Sequence, residues 1–328
     1  MRLKQKSSFS YAKYGYLFSI PFFIIYLIFH LYPTIYTAVL GFTDCKGLGN
    51  TNWHFLKDDI WKNFKLILSN ATFKTALKNT VVLWIMNFIP QITLALLLTA
   101  WFTSRRNKVR GQGFFKVVFY MPNIITMASV AILFNVLFGY PKGPVNDILV
   151  SLGLREDAFY FINSATASRW IIAFIQFWMW YGYTMIILIS GVLGINPEIY
   201  EAAEIDGASD WDCFWKITIP NLKTILTYTL ITSMIGGLNM YDIPKMFNNG
   251  NPANSTLTTN VFIYNQAFAG SYMYNRAAAA SMIMFVLIAI LSAIVFYLMQ
   301  DKSEVAEKKE LKKIEKEMKR KAKEGGVL

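Results

Sequence analysis

Six long stretches of the chain contain no Asp, Glu, Lys or Arg and are rich in apolar side chains. A helix needs about 20 consecutive apolar residues to cross the hydrocarbon core of a bilayer. Because 55% of its residues are hydrophobic, the chain fits an all-α integral membrane protein better than two soluble domains. We predict six transmembrane helices, over residues 15–39, 79–102, 117–140, 170–195, 224–241 and 277–300.

The first of these stretches follows basic residues, as the apolar segment of a secretory signal peptide also does. It is longer than such a segment, and no small-residue cleavage site follows it, so we expect it to be retained as a membrane anchor. We therefore divide the chain into an N-terminal segment (1–14), a six-helix domain (15–300) and a charged tail (301–328).

Lysines and arginines are distributed unequally between the connecting segments. If both termini are cytoplasmic, the inner segments hold 21 basic residues in 84 positions and the outer segments hold 11 in 102. Cytoplasmic loops are enriched in Lys and Arg, so we predict a multi-pass protein with cytoplasmic termini. The basic run 104–110 would then lie against anionic lipid headgroups as a topology signal. The net charge of +12 therefore requires no nucleic-acid partner beside the lipid bilayer.

One inner connection departs from this pattern, because residues 196–220, here named the acidic connection, contain six acids and one lysine. Pro197 suits the first position of a helix, where its missing N–H costs nothing. Gly207 can adopt the backbone conformation that ends a helix, and Ser209 with Asp212 resembles the capping box of a second one. We predict two short helices joined by a sharp turn. The aromatic residues expected on one side of the second helix are Trp211, Phe214 and Trp215.

The spacing within the acidic connection resembles a cytoplasmic motif of ABC importer permeases that work with a substrate-binding protein. That motif reads Glu-Ala-Ala, three residues, Gly, nine residues, Ile, any residue, Leu and Pro. Ile219 stands in this chain where the family usually has Leu. The matching positions are Glu201, Ala202, Ala203, Gly207, Ile217 and Pro220.

A second region is similar to sugar permeases of the maltose, glycerol-3-phosphate and multiple-sugar type. Residues 249–256 resemble their Gly-Gly-Pro-Ala-Asn-Ser-Thr sequence, although Asn251 replaces the second glycine. Just before it, residues 241–244 (Tyr-Asp-Ile-Pro) resemble the Phe-Asp-Leu-Pro signature of one of the two permease subunits. The resemblance implies a type I ABC importer permease fold with a cytoplasmic coupling helix.

The same resemblance implies the partners. A separate dimer of cytoplasmic ATPase subunits would receive the acidic connection, with Glu201 in charged contact and Ala202 and Ala203 allowing a close fit. The sequence has no Gly-Lys-Ser or Gly-Lys-Thr phosphate loop, so ATP and Mg²⁺ are expected on that ATPase and no cofactor on this chain. A second, homologous permease, giving a heterodimer, and an extracytoplasmic solute-binding protein complete the assembly expected in the bacterial cytoplasmic membrane.

The expected substrate is a neutral sugar or oligosaccharide, because the six stretches offer aromatic rings and polar groups without charge. The resemblance to the maltose-type permease implies a substrate path formed by Asn123, Gln176, Trp180, Tyr183 and Asn239. Each of these residues also has a structural interpretation. Trp and Tyr often lie at the membrane interface, and buried Asn or Gln often joins helices.

Other functions are open at this stage. An importer for another polar solute, such as an amino acid or a phosphodiester, would share the motif. An ion-coupled secondary transporter commonly needs charged residues in its spans, where only His30 could titrate. A membrane enzyme would need a cluster of catalytic or metal-ligating residues, and with two histidines the sequence predicts neither kind of site.

Overall fold

The computed structural model describes residues 12–106, 109–270, 272–300 and 310–318. Within these ranges the chain is helical, and an isolated bridge between Thr43 and Phe55 is the only β pairing. Residues 310–318 are helical, whereas the rest of the tail and the predicted segment before residue 12 lie outside the described residues. The other helices are α1 Ala12–Tyr26, α2 Tyr32–Leu40, α3 Lys62–Ser69, α4 Ala71–Thr103, α5 Gln112–Tyr120, α6 Met127–Leu137, α7 Pro144–Ser151, α8 Ala165–Leu193, α9 Pro197–Ile205, α10 Asp210–Cys213, α11 Ile219–Asn221, α12 Lys223–Leu238, α13 Asp242–Asn248, α14 Thr259–Phe268 and α15 Tyr274–Met299.

Four helical segments in the described part of the chain are long and apolar enough to cross a membrane. They correspond to the first, second, fourth and sixth predicted stretches, so the all-helical membrane fold class is confirmed. The first of them joins α1 to α2 through a π-helical turn. The four segments are Lys13–Leu40, Ala71–Thr103, Ala165–Leu193 and Tyr274–Met299.

The third predicted stretch is broken. A 3₁₀ turn over Met121–Ile124 separates α5 from α6, and the two helices are bent by 88°. Pro122 lies at the start of this turn and has no N–H to donate to the preceding turn of helix, and the chain becomes extended at Ile125 and Thr126. The expectation of one continuous helix over 117–140 is therefore wrong. Taken together, the bent pair is still long and apolar enough for one broken span.

The break packs closely against α8. Asn123 donates a hydrogen bond from Nδ2 to the carbonyl of Met179 at 3.2 Å. A Cβ atom at Gly182 would lie 2.0 Å from the carbonyl oxygen of Phe119, so only glycine allows the backbone of α5 to lie this close to α8. The break in the third stretch is thus part of the packing around α8.

The fifth predicted stretch, 224–241, corresponds to α12, which is 16 residues long and ends at Leu238. This is shorter than the roughly 20 residues that a span usually needs. A near-continuous helical path precedes it through α10, a π-helical turn over Phe214–Thr218 and α11. The count of six spans stays a prediction, because four helices and one bent pair meet the requirement among the described residues.

The described residues divide into two compact units. The first takes in the residues up to Lys74 with Phe262–Phe285, and the second takes in Thr75–Val261 with the residues from Val286 onward. In the first unit the buried side chain of Asn63 donates to the carbonyl of Gly41 at 2.9 Å and to a second carbonyl of the same loop at 2.8 Å. Asn275 of α15 donates to Asn63 at 3.3 Å. These bonds join the loop after α2 to α3 and α15.

The second unit is built around α8, the most buried of the four candidate spans. One apolar cluster joins Leu83 of α4 and Ile172 of α8 to α13. Another joins Ala95 of α4 and Leu188 of α8 to Leu222, which directly precedes α12. Two buried polar residues of α4, Asn87 and Gln91, fall between these two clusters along the chain.

Candidate functional site

A cavity of about 220 Å³ lies between α4, α8 and α12 in the second unit. Each helix contributes polar side chains to it, and none of the described residues that line it is charged. Gln91 of α4 donates a hydrogen bond to Thr184 of α8 at 2.8 Å, which fixes both side chains at the cavity wall. The lining residues are Asn87, Gln91, Gln176, Trp180, Tyr183, Thr184, Ile187, Tyr228, Thr229, Thr232, Ser233, Gly236 and Gly237.

Three buried polar atoms at this cavity have no hydrogen-bond partner among the described residues. They are Oε1 of Gln176, Nε1 of Trp180 and Oγ1 of Thr229. A buried polar group left without a partner costs about 1–3 kcal/mol, so a cluster of three is unusual in a folded protein. The set contains an acceptor, a donor and a hydroxyl that can do either. A molecule rich in hydroxyl groups, or water in its place, would satisfy all three.

A glycine positions one further indole at the edge of this site. A Cβ atom at Gly237 would lie 2.2 Å from Cδ1 of Trp84, so the ring of Trp84 lies directly on the backbone of α12. The Nε1 atom of Trp84 is also buried without a partner among the described residues. The ring of Trp84 also stacks on Phe88, with ring centroids 5.6 Å apart. Trp84 is therefore held between α12 and its own helix.

The structure brings together three of the five residues predicted for the substrate path. Gln176, Trp180 and Tyr183 line the cavity, and the rings of Trp180 and Tyr183 meet edge to face at 5.6 Å. Asn123 lies in the break between α5 and α6, outside the lining of this cavity. Asn239 follows α12 as its C-cap, is exposed, and donates to the carbonyl of Ile235 at 2.8 Å. Substrate contact by any of the five stays a prediction.

Other polar residues at the cavity were not predicted. Asn87 and Gln91 are spaced by four on α4, and Thr229, Thr232 and Ser233 are spaced by three or four on α12. Residues with these spacings lie on one face of a helix. A polar face within an uncharged span is the signal that could have found them.

The acidic connection folds as two short helices around a tight turn. Asn196 caps α9 by accepting a hydrogen bond from the N–H of Glu198 at 3.1 Å. Gly207 has φ of +81°, which favours glycine, and it separates α9 from α10. Ser209 and Asp212 form the reciprocal bonds of a capping box at the start of α10. The local geometry predicted for this connection is therefore confirmed.

Hydrogen bonds hold the carboxylate of Asp212 in its ionised form. Lys216 donates to it at 2.7 Å, and Ser209 donates to it through both its hydroxyl and its backbone N–H. The bond from Lys216 is the largest cause, followed by those from Ser209, and together they lower the pKa of Asp212 to about 2. The capping carboxylate is therefore ionised at any physiological pH.

The aromatic residues of the second helix do not share one environment. Phe214 is buried, whereas Trp211 is 58% exposed and Trp215 is 48% exposed. The rings of Trp211 and Trp215 meet edge to face at 5.5 Å. The acidic connection thus presents two indoles to its surroundings beside its carboxylates.

Three residues that directly follow α4, here named the strap, contact the acidic connection. Arg105 forms salt bridges with Glu201 at 3.1 Å and Glu204 at 3.7 Å. Arg106 forms one with Asp210 at 3.6 Å, and Ser104 donates to the same carboxylate at 2.6 Å. The strap belongs to the basic run predicted as a topology signal. Beyond that, its arginines bind the acids of the acidic connection.

Comparison with known proteins places these features among transport proteins. A family model described as "Binding-protein-dependent transport system inner membrane component" matches residues 80–304. The lactose transport system permease protein LacF of Rhizobium radiobacter is 32% identical over 285 residues, covering 86% of this chain and 93% of that protein. The arabinooligosaccharides transport system permease protein AraP of Bacillus subtilis (strain 168) is 29% identical over 286 residues, covering 85% and 86%. A chain in the crystal structure of a bacterial ABC transporter that imports the acidic polysaccharide alginate matches with a TM-score of 0.73 and 22% identity, over 88% of this chain and 96% of that one.

Proposed function

The chain belongs to the family of binding-protein-dependent transport system inner membrane components, and from this membership we propose that it is the permease subunit of an ATP-driven importer for sugars or oligosaccharides. It forms half of the path through the membrane and couples to a separate ATPase through the acidic connection. Its task is to move a solute, so the family is one of transporters and not of enzymes.

The observation that carries this proposal is the layout of three helices. α4, α8 and α12 all line the cavity, and all three reach the acidic connection. α8 leads into it, α12 leaves it, and the residues after α4 bind it through salt bridges. A movement of the acidic connection would therefore be transmitted to every wall of the cavity, as rigid-body switching between two states requires.

The chemistry of the cavity supports a neutral carbohydrate as substrate. Sugar hydroxyls can donate to or accept from Gln176, Trp180 and Thr229, whose polar atoms have no partner among the described residues. The edge-to-face pair of Trp180 and Tyr183 offers rings to the apolar faces of a sugar. The relatives named for lactose and for arabinooligosaccharides support the same substrate class.

The size of the cavity supports a shared path. Its volume of about 220 Å³ is smaller than the roughly 300–1,000 Å³ that encloses a drug-sized ligand. This chain would therefore contact one part of an oligosaccharide, and a second, homologous permease would supply the other wall. We expect that second permease to differ from this one, because residues 241–244 resemble the signature of one subunit type.

The remaining partners follow from the same proposal. A cytoplasmic ATPase dimer binds ATP and Mg²⁺ and receives the acidic connection, where Glu201 makes charged contact, Ala202 and Ala203 give a close fit and Gly207 makes the turn. Ile217 and Pro220 shape the return to α12. A solute-binding protein delivers the substrate from outside, a role that the family's description as binding-protein-dependent supports. The chain lies in the bacterial cytoplasmic membrane with both termini in the cytoplasm.

Reconstitution tests the proposal directly. The tagged chain would be purified from membranes, its partners identified by mass spectrometry, and the complex placed in vesicles with ATP and Mg²⁺ on the side of the acidic connection. Radiolabelled lactose and arabinooligosaccharides, presented with the binding protein on the other side, should accumulate only when ATP is hydrolysed. Uptake that follows an imposed proton or sodium gradient without ATP would identify a secondary transporter and refute the proposal.

A further inference from the structure

We infer that Arg105 and Arg106 are positioning residues that make α4 move with the acidic connection. The inference deepens the proposed function, because it concerns how a movement imposed by the ATPase reaches the cavity. Two of the three helices that line the cavity are linked to the acidic connection without the strap. α8 and α12 are joined to the acidic connection through the chain itself, whereas among the described residues the salt bridges that join the end of α4 to it come from the strap.

Arg105 binds the first helix of the acidic connection at several points. It donates from one guanidinium nitrogen to Glu201 at 3.1 Å, and from another to the carbonyl of Pro197 at 3.2 Å. Its Nε atom lies 3.7 Å from a carboxylate oxygen of Glu204. The planar fork of a guanidinium suits several acceptors at once. Arg105 therefore holds the start and the middle of α9 together against the end of α4.

Arg106 and Ser104 bind the second helix of the acidic connection. Arg106 donates to the carbonyl of Ala208 at 3.0 Å and lies 3.6 Å from Asp210. Ser104 donates to the other oxygen of Asp210 at 2.6 Å. Neighbouring residues of the strap thus hold α9 and α10 separately, on both sides of the turn at Gly207.

Apolar packing directly between the end of α4 and the acidic connection is incomplete. Two cavities, of about 540 and 340 Å³, lie between the end of α4 and the acidic connection, and Arg105 lines both of them. The ion pairs are 34–58% exposed at their side chains. Exposed pairs of this kind contribute little to folding stability. Their loss should therefore release α4 from the acidic connection without unfolding the chain.

The consequence of that release is a loss of coupling. α4 carries Asn87 and Gln91 to the cavity, and Gln91 lies about 18 Å along the helix from its last residue, Thr103. Without the strap, α4 would follow a movement of the acidic connection only through its apolar packing on α8, so this wall of the cavity would move less than α8 and α12 do. ATP would then be hydrolysed with less sugar moved per ATP.

The decisive experiment uses the Arg106 and Asp210 pair, because neither residue belongs to the motif expected to contact the ATPase. Arg106→Asp, Asp210→Arg and the double variant would be reconstituted in the full complex with its ATPase, second permease and binding protein. Sugar uptake and ATP hydrolysis would be measured in the same vesicles. We expect each single variant to lower the ratio of sugar moved to ATP hydrolysed about fivefold to tenfold, and the double variant to restore it to within about twofold.

Controls distinguish a loss of coupling from misfolding and from a failure of the proposed function. Lys216→Gln removes an exposed charge of the acidic connection that does not reach the strap, and it should leave the ratio unchanged. Arg106→Gln removes the pair without adding repulsion, so it gives the same reading if a charge reversal fails to fold. Single variants with the wild-type ratio, or a double variant that stays uncoupled, would overturn the role of the strap. Failure of the wild-type complex to take up sugar with ATP would instead refute the proposed function.

Discussion

The cavity and the acidic connection are opposite in character, although the same helices build both. At the cavity no described lining residue is charged, and three buried polar atoms lack partners. In the acidic connection Glu201, Glu204, Asp210 and Asp212 all take part in salt bridges, and their side chains are partly exposed. The cavity therefore has hydrogen-bonding groups available to a neutral ligand. The conformation of the acidic connection is stabilised by its own salt bridges.

This difference separates two tasks that one helical framework must perform. In the proposed function the cavity must bind a neutral solute and also release it, which uncharged hydrogen bonds favour because they are about half as strong as charge-assisted ones. A docking surface needs a fixed shape, which the capping box, the turn at Gly207 and the strap together provide. Variants in the acidic connection should accordingly lose transport because the ATPase no longer couples to the chain. Variants at the cavity should lose transport because contacts to the substrate are lost.

The strongest test of the docking region is Glu201→Lys combined with Gly207→Pro. Lysine reverses the charge that Arg105 binds, and proline cannot adopt the φ of +81° at Gly207, because its ring fixes φ near −65°. We expect uptake to fall to background and the ATPase to be lost on purification, while the amount of chain in the membrane is unchanged. Uptake assays and quantitative blots of the purified complex measure both effects.

Gly153→Pro is the matched control for the backbone change. Gly153 also has positive φ, at +66°, with open space around it, but it lies between α7 and α8 and away from the acidic connection. It should keep the ATPase bound. Equal loss of the ATPase in both variants would show that the effect of Gly207→Pro is not specific to docking.

The next largest effect is expected at the cavity, from Gly237→Ala. The new methyl group would overlap the ring of Trp84 at 2.2 Å, so the indole must move, at a cost of about 1–3 kcal/mol. We expect uptake to fall about tenfold. The ATPase should remain bound, whereas the docking variant should lose it. Gly113→Ala adds the same methyl group to α5, outside the lining of this cavity, where no side chain or neighbouring helix lies within 4 Å, and should retain uptake. Equal behaviour of the two variants would argue against a fixed Trp84 at the site.

Local sequence predicted the acidic connection well and the cavity only in part. Asn196, Gly207 and the Ser209 and Asp212 box act on backbone groups within a few residues, so their geometry can be inferred without knowing the fold. The strap could not be inferred in this way. Arg105 and Glu201 are 96 residues apart, and their pairing depends on α4 and α8 ending at the same level.

The same limit explains the errors in the spans. Apolar composition over 117–140 predicted one helix, whereas the structure interrupts it after Pro122 and packs the backbone of α5 closely on Gly182 of another helix. Gln176 and Trp180 were expected at the path because of a resemblance, whereas Thr229 carries no signal by itself in an apolar stretch. Hydropathy indicates that a segment enters the membrane, whereas tertiary packing determines which neighbours each of its residues contacts.

A smaller and more specific effect is expected from Trp180→Phe. This change keeps a ring beside Tyr183 but removes the buried Nε1 donor that has no described partner. If that donor binds a sugar hydroxyl, its loss should raise KM about 2-fold to 12-fold, the equivalent of about 0.5–1.5 kcal/mol. Thermal stability in the absence of substrate should change little, because the packing that Trp180 loses on the apolar cluster is offset by the removal of an unpaired buried group.

Trp178→Phe is the matched control, since Trp178 packs against the apolar cluster of α4 and α8 and does not line the cavity. It should lower stability through lost packing and leave KM unchanged. The two substitutions are chemically identical, so opposite responses would place the ligand at Trp180. A raised KM in both variants would point to a general loosening of α8.

The smallest effect is expected from Asp212→Asn in the acidic connection. Asparagine can still accept from Ser209, so the capping geometry is kept, while the charge that pairs with Lys216 is lost. The pair is exposed and does not reach the strap, so we expect uptake and ATPase binding to stay within about twofold of wild type.

The pH dependence of this site sharpens the same expectation. Because the pKa of Asp212 is lowered to about 2 in the folded chain, the contribution of its ionised form is present above its ordinary pKa of 3.8 and is lost only as pH falls toward 2. The dependence of uptake on pH between pH 5 and 8 should therefore be the same in Asp212→Asn as in the wild-type chain. A change in this pH dependence, or a loss of the ATPase like that expected for Glu201→Lys with Gly207→Pro, would contradict the prediction. It would show that the total charge of the acidic connection matters, and not only the motif positions and the strap.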